Sequence, residues 1–234
     1  MKLGPERAAA LGALARRLGH DFADLGLLDR ALTHTSRANE SGPEVRHNEP
    51  FEFLGDALLG FVVADLLHRR DPEGDEGTKS RMRAHLVAEP SLARHAQALG
   101  VPELLLLGRG EEKTGGRRKA ALWADAYEAV VAALYLDGGI EAAQRFIEHD
   151  FGAEIAVGPQ HAIVDHKSAL QELLQARGQA VPEYAVVEES GPSHRPRFRV
   201  ECRIAGRAVA VGEGSSKKQA QQESARRALE MLRS

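Results

Sequence analysis

Through residue 155 the apolar positions recur at helical spacing. The palette is Ala, Leu, Arg and Glu, without the runs of Val, Ile, Thr and aromatic residues that mark strands. Breaks of Gly, Pro or clustered polar residues fall at 41–46, 71–77, 100–102, 108–116 and 137–139. They leave about six helices, which suits a helical bundle. A Gly-Pro interruption within 156–164 separates this region from one of different texture. Residues 165–177 read as a helix capped by Asp165. Residues 184–188, 197–204 and 208–211 read as strands; in the second, Val200, Cys202 and Ile204 alternate with Arg199, Glu201 and Arg203. Turns fall at 191–196 and 205–207. A last helix, capped by Ser215 or Ser216, runs to about Leu232. The pattern predicts an all-α domain over 1–155, a linker at 156–164, and an α+β domain of α-β-β-β-α order over 165–234. In the second domain, both helices would pack on one face of an antiparallel sheet.

Composition narrows the class. Hydrophobic residues make up 43% and charged residues 28%, which excludes a mostly disordered or collagen-like chain. A single cysteine, Cys202, excludes an internal disulfide framework and a multi-cysteine metal site, and fits a reducing compartment. Residues 4–7 (GPER) interrupt any leader-like apolar run. The longest apolar stretches, near 57–67 and 129–136, fall far short of the ~18 residues of a membrane span. The expectation is a soluble, cytoplasmic protein with no membrane partner. The net charge of −3 conceals an asymmetry: residues 165–234 carry 12 basic and 9 acidic side chains, against 19 and 25 in the remainder. A basic tail can dock a polyanion, and an acidic body can hold cations that neutralise it locally.

Candidate chemistry lies in two acidic constellations. In HNEPFEFLGDALLG (47–60), Glu49, Glu52 and Asp56 share one helical face. Asn48 can cap this helix, and Pro50 is tolerated in its first turn. Phe51, Leu54, Leu58, Phe61 and Val62 are expected on the opposite face, and Leu59 and Val63 extend the acidic face with apolar residues, so the helix reads as buried over most of its girth. In AALWADAYEAVVAALYL (120–136), Asp125 and Glu128 are the only charges and stand at i and i+3. Carboxylates on core helices are costly unless paired with a cation or metal. Pairing with arginines would explain one such helix. Two with the same arrangement favour a metal site, and oxygen ligands without a Cys or His cluster select Mg²⁺ or Mn²⁺. His34, His47 and His85 are possible further ligands, although single histidines near helix ends are more often structural.

The segment NEPFEFLGD (48–56) resembles the signature of ribonuclease III, the double-stranded-RNA endonuclease family. ALTHTS (31–36), DEGTKSRMR (75–83) and GGRRKAALWADAYEAVVAALYLDGG (115–139) resemble three further family segments in the expected order. The resemblance implies that Glu52, Asp56, Asp125 and Glu128 are the metal-binding and catalytic acids. Glu49 and Glu76 would be accessory acids of the cleft, with Glu76 preferred to Glu73 because Ser-Arg-Met-Arg then aligns. It also implies Mg²⁺ as cofactor, with Mn²⁺ substituting, and hydrolysis to 5′-phosphate and 3′-hydroxyl ends. The enzyme would be a homodimer, each subunit cutting one strand to leave short 3′ overhangs, in ribosomal RNA processing and RNA turnover. Phe53, apolar on the acidic side of its helix, could serve the dimer contact or the core. Pro50, Trp123 and Ala132-Ala133 depart from the family pattern without removing an acid.

Residues 165–234 resemble the double-stranded-RNA-binding domain. The resemblance implies that Ser168, Gln171, Glu172 and Gln175 enter one minor groove and His194 the next, while Lys217 and Lys218 clamp phosphates at a helix N-terminus. Gln221 stands where the family usually has a third Lys or Arg, which would lower the salt slope of binding by about one unit. Arg117, Arg118 and Lys119 could supply replacement contacts. The alternative function is a non-catalytic double-stranded-RNA-binding scaffold, which would have no reason to keep four acids on core helices.

Overall fold

The computed structural model describes residues 3–42, 44–157, 166–192 and 196–233. The chain divides into two compact units at Ala162/Ile163. The predicted cap Asp165, the linker from residue 158 and His194 lie outside the described residues.

The first unit is helical: α1 (Pro5–Arg17), α2 (Leu25–Ala31), α3 (Thr35–Ser41), α4 (Glu49–Arg70), α5 (Glu76–Leu86), α6 (Glu89–Ala98), α7 (Val101–Leu104), α8 (Arg109–Lys113), a 3₁₀ turn (Gly116–Arg118) and α9 (Ala120–Val157). These nine α-helices among the described residues exceed the six expected: further breaks at 18–24, 32–34 and 87–88 divide stretches read as single helices, α9 runs through the break at 137–139, and segments read as breaks carry short helices of their own. One is α8, whose first amides, at Arg109 and Gly110, donate to the Glu40 carboxylate at 2.9 and 3.2 Å. Another segment, 71–77, ends two residues early, because Asp75 caps α5 by accepting from the Thr78 amide at 2.6 Å.

At the centre, α4 packs against α9. Leu59, Val62, Val63, Val130, Val131, Leu134 and Ile147 are fully or almost fully buried there. The close crossing depends on Gly55. A Cβ at this position would lie 1.9 Å from the Glu128 carbonyl oxygen, so any side chain would force the helices apart. The expected facing of α4 holds for Phe51 and Val62, which are buried, and fails for Phe61, which is 63% exposed. Asn48 occupies the N-cap position, but its buried side chain makes no capping bond.

The break expected at 137–139 is present inside α9. Gly139 has φ 75° and ψ −175°, a conformation glycine adopts without a Cβ penalty. Its effect is large. The Tyr127 hydroxyl donates to Asp150 at 2.5 Å, although 23 residues of straight helix would span ~34 Å. The two arms of α9 therefore fold back on each other as a helical hairpin. Asp137 fixes the corner by accepting from the Ala23 and Asp24 amides, both at 3.0 Å, and by bonding His20 at 2.8 Å.

The second unit has the predicted order: α10 (His166–Ala176), β1 (Glu183–Ser190), β2 (Arg197–Ile204), β3 (Arg207–Gly214) and α11 (Lys217–Arg233). The sheet is antiparallel in the order β1-β2-β3. As the alternation predicts, Val200 and Cys202 are fully buried; Cys202 packs with Leu170, Leu174, Ala225, Ala228 and Leu229 from the two helices. Gly212 lets α11 lie directly on β3, since a Cβ there would meet the Ser224 amide nitrogen at 2.2 Å. Ser216 caps α11 through the Gln219 amide at 3.2 Å. The β2–β3 hairpin turns on Ala205 and Gly206, both at positive φ.

Candidate functional site

The α4–α9 crossing that Gly55 permits brings acids from the two helices together. Glu52 from α4 and Asp125 and Glu128 from α9 each offer a carboxylate oxygen within 4.8 Å of the others. All three are half-buried. Among the described residues, none forms an ion pair with a lysine or arginine, so the arginine-pairing explanation fails here. Burial pushes Glu128 up to about 8, and the carboxylates of Asp56, Glu52 and Asp125 add to the rise. Burial also raises Glu52, with contributions from Asp125, Glu49 and Asp56. Burial likewise raises Asp125, against the opposing charge of His34.

A set of hard oxygen donors whose mutual repulsion raises their proton affinity suits a divalent cation, which would relieve that repulsion. Asp56 is exposed and stands outside the closest group, near enough to act on Glu52 and Glu128. Glu49 is exposed at the start of α4, with His47 Nδ1 at 3.7 Å. Glu76 is exposed in the first turn of α5, accepts from Ser80 Oγ at 3.0 Å and does not join the acidic group.

None of His34, His47 and His85 joins the group among the described residues. His34 instead organises the ALTHTS segment. Its ring caps α3 through the Ser36 amide at 3.2 Å, and its backbone amide donates to the Leu106 carbonyl at 3.0 Å. The Thr33 carbonyl accepts from the Asn48 amide at 2.9 Å, tying this segment to the head of α4. Phe53 is 81% exposed, which removes it from the core.

Two of the three basic residues before α9 are committed elsewhere. Arg117 donates to the carbonyls of Pro102 and Leu105 at 2.8 and 3.1 Å and pairs with Glu112 at 2.8 Å. Lys119 pairs with Glu111 at 2.7 Å. The free carbonyls at the end of α7 need a donor, and Arg117 supplies it. These two are held in contacts of the fold, while Arg118 is exposed.

On the second unit, Gln171, Glu172 and Gln175 lie exposed on α10, and Ser168 is half-buried. Lys218 shares a cleft of about 430 Å³ with Ser168 and Gln171. Lys217 turns the other way, lying 3.5 Å from Glu189 and 5.4 Å from the Phe198 ring centroid. No helix among the described residues is long and apolar enough to cross a membrane.

Known proteins carry the same combination. Residues 24–155 match the ribonuclease-III-like family model, and residues 166–232 match the double-stranded RNA binding motif. Ribonuclease 3 of Symbiobacterium thermophilum is 48% identical over 92% of this chain and 91% of its own length. Ribonuclease 3 of Geobacillus kaustophilus is 42% identical over 99% of this chain and 95% of its own. Among solved structures, the nuclease domain of ribonuclease III from Campylobacter jejuni is 37% identical, with a TM-score of 0.55 over 61% of this chain and 99% of that one. With a matching family model over each unit and relatives of this identity along nearly its whole length, the chain belongs to the ribonuclease III family.

Proposed function

We propose that this protein is a Mg²⁺-dependent endoribonuclease that cuts double-stranded RNA, with residues 1–155 as its nuclease domain and 165–234 as its RNA-binding domain. The observation that carries this reading is the convergence of Glu52, Asp125 and Glu128 from two core helices without a cationic partner among the described residues. Glu52, Asp56, Asp125 and Glu128 would hold the ion, with Glu49 and Glu76 at the margin of the cleft. Mn²⁺, also a dication that accepts oxygen ligands, would substitute. Once bound, the ion supplies Lewis-acid chemistry, lowering the pKa of the attacking water and offsetting charge on the departing oxygen. Water adds to phosphorus, the bond to the 3′ oxygen breaks, and the products are 5′-phosphate and 3′-hydroxyl ends.

The chain's own contribution is a preset cluster. Gly55 permits the close spacing between α4 and α9, and Asp125 and Glu128 sit half-buried on an otherwise buried stretch of α9. Ser168, Gln171, Glu172, Gln175, His194, Lys217 and Lys218 would hold the duplex, which such domains recognise mainly by its shape.

The enzyme would act as a homodimer. The Campylobacter jejuni structure is described in terms of a region involved in dimer formation. Here Phe53, Ala57 and Phe61 form an exposed stripe at i, i+4 and i+8 on α4, suited to a second copy. Two sites related in this way would leave short 3′ overhangs. Ribosomal RNA processing and RNA turnover in the cytoplasm are the corresponding cellular roles.

The test is cleavage of a long, fully paired RNA in Mg²⁺, beside Ca²⁺ and beside Glu128→Ala. Staggered cutting in Mg²⁺ that the substitution abolishes, with RNA binding kept, is the expected result. Tight binding without cutting in either Mg²⁺ or Mn²⁺ would make the protein a scaffold.

A further inference from the structure

With Gln221 where the family pattern has a basic residue, one phosphate contact of this unit is left without its cation. The second unit contains another cation at that place. Lys167, near the start of α10, extends its ammonium to Gln221 Oε1 at 2.8 Å. Its Nζ also lies 4.6 Å from the centroid of the Tyr184 ring, an attractive placement for a cation. The Lys167 backbone amide donates to Gln222 Oε1 at 3.4 Å, so the polar face of α11 holds this residue at two points.

The same cleft is lined by Lys167, Ser168, Gln171, Tyr184, Lys218 and Gln222. Lys218 is exposed and has no ion-pair partner among the described residues. Lys167 likewise pairs with no carboxylate there. Two ammonium groups, two hydroxyls and two amides thus line one polar cleft, with no acidic side chain lining it among the described residues. An ammonium has three N–H donors, and the bond to Gln221 uses one of those on Lys167.

We propose that Lys167 supplies the phosphate contact that the family pattern places on residue 221. The cleft between Lys167 and Lys218 would be the seat of one backbone phosphate of duplex RNA. Gln221 is then a holder: its carbonyl oxygen fixes the ammonium of a neighbouring helix where its own side chain carries no charge. The inference rests on the reading of this unit as the duplex-RNA-binding domain.

The test is binding of a cleavage-resistant measurement set, full-length protein with duplex RNA in EDTA, across a salt series. Lys167→Met keeps most of the aliphatic stem. It should weaken binding several-fold and lower the magnitude of the salt slope by about one unit, as should Lys218→Met. The double variant Lys167→Met/Gln221→Lys should regain the lost slope, because it returns one charge to the same place by the other route. Lys167→Arg should keep it.

An unchanged slope and affinity in Lys167→Met would overturn the proposal and leave Lys167 as a clasp between helices. So would failure of Gln221→Lys to restore a slope that Lys167→Met had lowered. If Lys167→Met unfolds, Lys167→Gln decides in its place: it keeps an N–H donor for Gln221 without the charge, so a lowered slope supports the proposal and an unchanged one overturns it. Absence of duplex binding by the unsubstituted protein would instead defeat the underlying reading of the domain.

Discussion

The two arms of α9 treat acidic side chains in opposite ways. On the first arm, Asp125 and Glu128 are half-buried beside Glu52, no cation of the chain pairs with them among the described residues, and all three are raised. On the second, Asp150 and Glu154 are half-buried too, but fully partnered. Asp150 accepts from Tyr127 at 2.5 Å and lies 2.9 Å from His95 Nδ1, and Glu154 meets Arg94 at 2.7 Å. Burial works to raise both, yet the bonds from His95, Tyr127 and Arg94 outweigh it and hold both below the usual carboxylate range. One helix therefore shows what burial does to an acid with protein partners and to one without. The first kind stabilises the fold. The second costs stability and is suited to chemistry.

The largest test of this contrast is Glu128→Gln. It should reduce cleavage by on the order of 10³-fold, since an oxygen ligand to a catalytic ion is worth several kcal/mol of transition-state stabilisation. Duplex binding should be unchanged, and single-turnover kinetics beside a binding titration separate the two.

Gly55→Ala attacks the crossing itself. The added methyl meets backbone, which cannot rotate away, so unfolding should be easier by about 3 kcal/mol and cleavage should fall with it. Chemical denaturation and the cleavage assay check the two effects.

The pH response should have opposite signs on the two arms. Glu128 binds its proton more tightly folded than unfolded, so without metal its effect on stability worsens as pH rises from about 4.5 to about 8. Asp150 and Glu154 are depressed, so their contribution is present above the ordinary carboxylate range and is lost as pH falls through their folded values. Thermal melts in EDTA should therefore show the unsubstituted protein losing ground to Glu128→Gln between pH 4.5 and 8. A divalent cation should raise the melting temperature of the former more.

Tyr127→Phe leaves Asp150 short of one donor and should cost about 1–3 kcal/mol by denaturation, with cleavage of RNA preserved. The smallest effect lies outside the contrast and calibrates it. Ala205 sits at φ 48° in the β2–β3 turn, so Ala205→Asn should stabilise the second unit by about 0.5–1 kcal/mol in thermal melts.

Much of this was legible in the sequence wherever one element decides the outcome alone. The alternation of Val200, Cys202 and Ile204 fixes a strand and its buried face. The isolation of Asp125 and Glu128 in an apolar run marks them as unusual. What the sequence did not reveal depends on two segments meeting. The face of α4 that carries Phe61 is set by which side α9 covers, and periodicity alone placed it inward. The closeness of Glu52, Asp125 and Glu128, with Asp56 outside, follows from a crossing point at Gly55. The employment of Arg117 and the approach of Lys167 to Gln221 are likewise contacts between distant segments.

The hairpin in α9 has a consequence for synthesis on the ribosome. Tyr127 and Asp150 are 23 residues apart and can join as soon as the second arm emerges. Glu52 must wait for Glu128, 76 residues later. At ~5–20 residues per second that is a delay of about 4–15 s, and the hairpin closes only after Asp150 follows. A nascent chain surrounded by the paired helices of ribosomal RNA thus carries half of its acids for several seconds without the other half. The acidic cluster proposed as the cutting centre comes into being only when the nuclease unit is nearly complete.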